Sequence, residues 1–282
     1  MKKFLSIDIG GTKILCVEFT KSLEIIKEIR LDTTILFKHK NLNDLKNLFV
    51  LIANEFGGSR YEKLGVSINC AIMNNRIIYS SLINGGNGVD ISSIANKYLN
   101  YKSFDSDNDV ICMAKAEKLY GYGKKHNSLV YINLGTGIRV VAIENGIILR
   151  GSSNMAGEIS PMDIWSYEKK QFETADNLLA GKGLKSLSIY KTGKILPPEE
   201  IFDGKHNDIV IMYVNYLSNF IVNLSYFYNP ELFVFGGSVT KSAESWLPQV
   251  TKNYSKKLPK FMQAREFKIT TINHPASIGA LI

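Results

Sequence analysis

The chain has 282 residues, enough for two domains and too many for one small core. It is 45% hydrophobic and 21% charged with only 7 prolines, which excludes long disordered stretches. Its formal charge of +8 comes from lysines scattered over many segments, so it reads as a solvated surface with a mild attraction for anions and not as a nucleic-acid-binding face.

In chain order, Phe4–Asp8 is a first strand and not a signal peptide, because the apolar run is short and ends in an acid. It turns through Gly10-Gly11 and returns as Ile14–Val17, a β-hairpin whose glycines serve positive φ or close ligand approach. Leu42–Phe56 has helical apolar spacing and stops at Gly57-Gly58. A shorter helix, Ile91–Leu99, precedes the strand Tyr101–Phe104, and Asp109–Tyr120 is a helix with an acidic start that ends at Gly121. A second hairpin follows, Leu129–Asn133 and Val140–Ile143 around Gly135-Thr136-Gly137. Ile209–Tyr228 is long and apolar, but Asn215, Ser218, Asn219, Asn223 and Ser225 make it a buried helix, capped by Asp208 and stopped by Asn229-Pro230. The strand Leu232–Phe235 then enters Gly236-Gly237-Ser238. Two hairpin openings predict two related domains, 1–110 and 111–274, with a hinge near Asp107–Ala114 and close packing across a cleft. Cys16, Cys70 and Cys112 have neither disulfide nor zinc spacing and read as buried small hydrophobes.

A triphosphate needs several backbone N–H donors aimed at one point, and glycine lets the backbone come close enough. Asp8-Ile9-Gly10-Gly11-Thr12-Lys13 offers two glycines, a hydroxyl and a cation, and Asp8 is of the right type to hold Mg²⁺ through water. No Gly-x4-Gly-Lys-Ser/Thr run exists, which excludes a P-loop. The bland alternative is a tight hairpin with polar decoration, and the second glycine turn at 135–137 argues against it.

Asp-Ile-Gly-Gly-Thr-Lys at 8–13, Gly-Thr-Gly-Ile at 135–138 and Gly-Gly-Ser at 236–238, in that order, resemble the ROK family of the actin-like ATPase superfamily. The resemblance covers essentially the whole chain. It implies an α/β protein with the two-domain actin-like (ribonuclease H-like) ATPase fold, and a cytoplasmic, dimeric, ATP- and Mg²⁺-dependent sugar kinase acting at a 6-hydroxyl. Gly10, Gly11, Thr12, Lys13, Gly135, Thr136 and Gly137 would hold phosphates, and Gly236 and Gly237 would lie against adenosine. Asn108-Asp109 is similar to the family's Asn-Asp pair, with Asn108 on the sugar and Asp109 as general base. From the residues alone Asp109 is a helix N-cap, a role compatible with the first, and Asp107 is a competing base.

Ala156-Gly157-Glu158-Ile159-Ser160-Pro161 resembles the family's Ala-Gly-Glu-Ile/Phe-Gly-His element. Glu158 takes the place of the acid that bonds sugar hydroxyls, and Pro161 stands where the histidine would be. No Cys-x-Cys-Gly-x-x-Gly-Cys cluster follows, so the chain looks like the zinc-free branch that includes β-glucoside kinases and some N-acetylmannosamine kinases. Phe172-Glu173-Thr174-Ala175 resembles a family step at a helix start, implying that Glu173 binds sugar; a solvated first-turn acid is the other reading. Asn84 and Asn87 are hydroxyl partners or plain turn residues. The segment 275–282 resembles the family's closing helix and is expected near the first domain.

Two departures stand out. Arg139 and Val140 occupy the place of Gly-Gly, with Arg139 beside the nucleotide or in solvent, and Ser67–Ala71 replaces the Ala/Gly-Pro-Gly segment. They keep open a different class of function, a ROK-fold sugar sensor without turnover. A sugar-responsive repressor is disfavoured because only Met1-Lys2-Lys3 precede the first strand.

Overall fold

The structure is a computed structural model that describes residues 2–282. The chain forms two compact units. Unit 1 runs through Tyr120 and takes in Arg150–Met155 and Ile272–Ile282; unit 2 comprises Gly121–Leu149 and Ala156–Thr271.

Unit 1 opens with the strands β1 (Lys3–Ile9), β2 (Lys13–Thr20) and β3 (Ile25–Asp32), followed by the one-turn helix α1 (Thr33–Leu36) and by α2 (Leu42–Phe56). Next come β4 (Arg60–Ile68), a small hairpin of β5 (Ala71–Met73) and β6 (Arg76–Tyr79), α3 (Ile91–Ala95), β7 (Asn100–Asn108) and α4 (Asp109–Tyr120). The five-stranded sheet has the order β3-β2-β1-β4-β7, antiparallel from β3 to β1 and parallel from β1 to β7. Strand alternation sends Leu5, Ile7, Ile9, Leu64, Val66 and Ile68 into a core with Leu45, Leu48, Phe49 and Ile52 of α2. A capping box starts α2. The Asn41 side chain accepts from the N–H groups of Asn43 (2.9 Å) and Asp44 (3.2 Å), and Asp44 accepts from Asn41.

Unit 2 repeats the plan with β8 (Ser128–Leu134), β9 (Ile138–Glu144) and β10 (Ile147–Ile148), then a hairpin of β11 (Asp163–Ser166) and β12 (Gln171–Thr174). The helices α5 (Asp176–Leu179), α6 (Gly181–Thr192), α7 (Pro198–Ile201) and α8 (Asn207–Tyr228) follow, then β13 (Leu232–Gly236), α9 (Leu247–Lys257) and β14 (Glu266–Ile269). The sheet order β10-β9-β8-β13-β14 has the same sequence of antiparallel and parallel neighbours as the first. By length and composition α8 could cross a membrane, but 67% of its apolar window is buried inside the protein, where Tyr213, Leu217 and Ile221 join the core of unit 2. The chain ends in α10 (Pro275–Gly279), which lies against α4 within unit 1. That packing is close: a Cβ on Gly279 would run into the backbone of Cys112, and one on Gly65 into Ala280.

Several elements differ from the sequence reading. The helix α4, expected to open the second domain, belongs with unit 1, as do Arg150–Met155. β7 extends to Asn108, so Asp105–Asn108 lie within a strand instead of after one. Helix α8 begins at Asn207 without a side-chain cap; Asp208 sits inside its first turn and accepts from the N–H of Ile209 at 2.9 Å. Glu173 lies on a strand, not at a helix start. None of Gly10, Gly11, Gly135 and Gly137 has positive φ, leaving close approach as the reason for glycine in both turns.

Candidate active site

In unit 1 the register of three parallel strands lines up Asp8 of β1, Ser67 of β4 and Asp107 of β7. In-register neighbours on a sheet project to one face, and here it is the face opposite the Leu5/Ile7/Ile9 core. The Ser67 hydroxyl donates to Asp8 Oδ1 at 2.7 Å, so the serine that departs from the family segment has a defined partner. Burial pushes the Asp8 carboxyl up to about 7 against the Ser67 hydrogen bond; the charge of Asp109 adds to the rise and that of Lys13 opposes it. Asp8 is therefore close enough to Asp109 and to Lys13 to feel the charge of each. A buried carboxyl that is reluctant to ionise beside a second acid suits a hard cation, which would favour the charged form.

The turn itself is held from below. Gly10 N–H donates to the Lys13 carbonyl at 3.0 Å, Thr33 Oγ1 donates to the Gly10 carbonyl at 2.8 Å, and Thr33 N–H to the Thr12 carbonyl at 3.2 Å. A Cβ on Gly10 would stand 3.1 Å from the Lys13 carbonyl, tight even without a ligand. Thr12 and Lys13 are exposed at the tip.

Asn108, not Asp109, caps α4. Its Oδ1 accepts from the N–H groups of Val110 (2.9 Å) and Ile111 (3.3 Å), and its Nδ2 donates to the Cys70 carbonyl at 3.1 Å. At 1% exposure its amide is committed to the scaffold, which does not fit the expected sugar contact. Asp109 is the first helical residue, half-buried, with Oδ1 3.0 Å from the N–H of Val110. A carboxylate at a helix N-terminus is favoured in its ionised form. Asp107 is not a competing base: Arg150 donates to both of its oxygens (3.1 and 2.7 Å) and Lys115 lies at 3.1 Å. Burial raises its pKa, but the Arg150 hydrogen bonds and the Lys115 and Arg150 charges outweigh that and hold it below the ordinary value.

Asn84 is exposed, in the loop after β6, and its N–H donates to the Lys40 carbonyl at 2.6 Å. Its loop is tethered to the Asn108 cap: Cys70 donates to the Ser80 hydroxyl at 2.8 Å, and that hydroxyl accepts from Leu82 and Ile83.

In unit 2, Gly135-Thr136-Gly137 is ringed by groups the sequence reading did not single out. Asp176 accepts from the N–H of Ile138 at 2.8 Å and from Lys182 Nζ at 2.8 Å, and a Cβ on Gly137 would stand 2.7 Å from its Oδ1. The first N–H groups of α6, from Gly181 and Lys182, donate to the carbonyls of Gly135 (2.9 Å) and Thr136 (3.0 Å). Gly237 has φ 93° and packs against Leu134, while Gly236 lies against the Tyr131 ring. The pair 236–237 thus abuts the second turn within one unit.

Glu158 is half-buried and bonded to Arg139, which is 5% exposed and so does not point to solvent. Glu173 accepts from Lys169 (3.0 Å), Gln171 (2.7 Å) and Asn177 (3.2 Å); these hydrogen bonds and the Lys169 charge overcome burial and lower its pKa. Its carboxylate serves the β11–β12 hairpin first. Among the described residues no group of three or more His, Cys, Asp or Glu side chains is arranged to hold a metal ion.

The ROK family profile matches residues 4–281. The chain belongs to the ROK family. Its similar relatives include an uncharacterized protein of Clostridium perfringens, 28% identical over 279 residues, 92% of this chain and 88% of that one. Another is the N-acetyl-D-glucosamine kinase of Aliivibrio salmonicida, 24% identical over 98% of this chain and 96% of that enzyme. Among solved structures, a ROK family protein from Streptococcus pneumoniae in complex with sucrose superposes with a TM-score of 0.81 at 19% identity, covering 99% and 96% of the two chains. The likeness confirms the two-domain actin-like ATPase fold of ROK proteins.

Proposed function

We propose that this ROK protein is an ATP-dependent sugar kinase that phosphorylates a hexose, an N-acetylhexosamine or a β-glucoside at its 6-hydroxyl. The observation that carries the reading is Asp109, a carboxylate at the start of α4 within electrostatic reach of Asp8, which precedes the glycine turn. Asp109 takes the proton of the attacking hydroxyl as the new oxygen–phosphorus bond forms and the bond from the γ-phosphorus to the bridging oxygen breaks, leaving ADP. The turns 10–13 and 135–137 hold the phosphates, with Lys13 offsetting their charge, and Gly236-Gly237 lies against adenosine. Asp8 would hold hydrated Mg²⁺, which supplies neutralisation of phosphate charge when bound. Glu158 bonds sugar hydroxyls. Asn108 acts by capping α4 and fixing Asp109, and Glu173 by ordering its hairpin. A kinase using ATP belongs in the cytoplasm, and a homodimer is in keeping with the family.

The test is ADP release across glucose, N-acetylmannosamine, N-acetylglucosamine, fructose and cellobiose. Turnover of one sugar that vanishes in a folded Asp109→Asn variant supports the reading. One observation favours a second reading, a sensor that binds sugar without turnover: the Arg139–Glu158 pair occupies an acid that the kinase needs for its substrate. ATP binding with no turnover on the whole panel sinks the kinase and supports the sensor.

A further inference from the structure

Arg139 is an ion-pair partner with most of its donors unused. It sits on β9 directly across the ladder from Asn133 of β8, so both side chains leave the same face of the unit 2 sheet. One terminal nitrogen, Nη1, donates to Glu158 Oε2. The other, Nη2, and the chain nitrogen Nε have no partner although they are buried, and Asn133 Oδ1 is likewise buried and unpartnered. Nε–H and Nη2–H lie on one edge of the planar guanidinium and point the same way. That edge is a two-pronged fork, and its geometric complement is a carboxylate or a phosphoryl group.

Leaving such donors dry is costly in a folded protein, and charged donors more so than neutral ones. Glu158 and Asn133 are half-buried as residues while Arg139 and Asn133 Oδ1 are buried, so the unmatched edge lies just beneath residues that reach the surface. Glu158 cancels the charge of Arg139 but not its hydrogen-bonding capacity. Asn133 Oδ1 adds one acceptor, which asks for a hydroxyl next to the oxyanion.

We propose that the Nε/Nη2 edge of Arg139 is a bidentate seat for an oxyanion, carried on a polyhydroxylated substrate whose adjacent hydroxyls meet Glu158 and Asn133. The substrate class is then an acidic sugar: a uronic acid or a sugar phosphate ester. The same fork could take the γ-phosphate of ATP, which shares the chemistry and is separated by the test. The proposal rests on the sugar-kinase reading for the role of Glu158.

The test is calorimetric binding to the full chain, with no turnover required, of four probes: glucose, glucuronate, glucose 1-phosphate and a non-hydrolysable ATP analogue. The native protein is compared with Arg139→Gln, which removes the fork, and Arg139→Lys, which keeps the charge without it. Glucuronate or glucose 1-phosphate should bind about tenfold or more tighter than glucose, the size expected for a charged hydrogen-bonded pair. Arg139→Gln should abolish that advantage and Arg139→Lys should restore only a fraction. If instead only the ATP analogue loses affinity in Arg139→Gln, the oxyanion is the γ-phosphate and the fork is still established. Equal binding of charged and neutral sugars by the native protein, with no probe sensitive to Arg139, overturns the proposal. Should the variants fail to fold, a rise in the native melting temperature with glucuronate or glucose 1-phosphate but not glucose supports it, and no selective rise refutes it. Failure of the kinase reading is scored separately, as absence of ADP release by the native protein.

Discussion

Replacing Arg150 by methionine should weaken unit 1 through Asp107. The substitution keeps most of the apolar stem and removes three hydrogen bonds, two to the Asp107 oxygens at 3.1 and 2.7 Å and one to Asn154 at 3.0 Å. Taking one partner from a buried ion pair costs about 3–5 kcal/mol. Here the Arg150 side chain is 35% exposed and Lys115 remains 3.1 Å from Asp107, so solvent and the second cation reduce the loss to about 2 kcal/mol. With a urea slope of about 2 kcal/mol/M the midpoint falls by about 1 M. Thiol labelling reads this unit alone, because Cys16, Cys70 and Cys112 all lie in unit 1 and are all buried. Tryptophan fluorescence reads the other, since Trp165 and Trp246 are both in unit 2. The pH dependence fixes the cause. A carboxyl with a lowered folded pKa contributes fully above its unfolded value of about 3.9 and loses that contribution as pH falls through the folded one. The gap between native and variant, followed by circular dichroism, should therefore hold above the unfolded value of about 3.9 and close as pH falls below it. A gap that persists unchanged at low pH, or a midpoint that hardly moves at pH 7, would refute the electrostatic account.

Other outcomes follow from the same structure. Asp109→Asn should cut sugar turnover by about 10²–10⁴-fold while calorimetry still finds ATP bound, and unchanged turnover removes Asp109 as base. Gly237→Ala meets φ 93° and the Leu134–Gly135 backbone, with Gly135 N 2.7 Å from the new Cβ, so it should destabilise unit 2 by more than about 2 kcal/mol in a tryptophan-monitored urea curve. Asn41→Ala removes the α2 capping box and should cost about 1 kcal/mol by thiol-monitored unfolding in urea. Native thiols should label far more slowly than a free cysteine at pH 8, because burial pushes Cys70 up to about 12 and Cys112 well above its ordinary value.

The parts of the fold legible in the sequence were those written in local chemistry. Glycine at both hairpin turns, the run Leu42–Phe56 closed by Gly57, and Asp109–Tyr120 closed by Gly121 are short-range signals, and each element stands where they put it. What stayed hidden depends on residues far apart in the chain. Arg150 meets Asp107 over 43 positions, Ser67 meets Asp8 over 59, and Asp176 meets Ile138 over 38. No spacing rule connects such pairs; only strand register and packing do. The same limit explains the roles that changed. Asn108 looked like a ligand because it precedes Asp109 in a pair that resembles the family's, but its Oδ1 caps α4 and its Nδ2 donates to the Cys70 carbonyl. Glu173 looked like a helix-start acid because Asp176 and α5 follow so closely, yet the hairpin register places it on β12.

The repeated sheet order sharpens what is peculiar to this member. Both turns are hairpin ends next to a parallel strand, and both have carbonyls occupied from behind, by Thr33 in the first and by the start of α6 in the second. Within each turn the N–H of the first glycine is engaged as well, Gly10 with the Lys13 carbonyl and Gly135 with the Gly137 carbonyl, both at 3.0 Å. The glycine turn is thus built twice over. The departures gather elsewhere, in Ser67, Arg139 and Pro161, and the first of these is spent on steadying Asp8. Arg139 is different in kind, because a buried guanidinium with two unmatched donors gains nothing for stability that a glycine or a leucine would not supply more cheaply. A departure that costs stability and stands beside Glu158, the acid proposed to bind sugar, is what a role for Arg139 in substrate binding predicts.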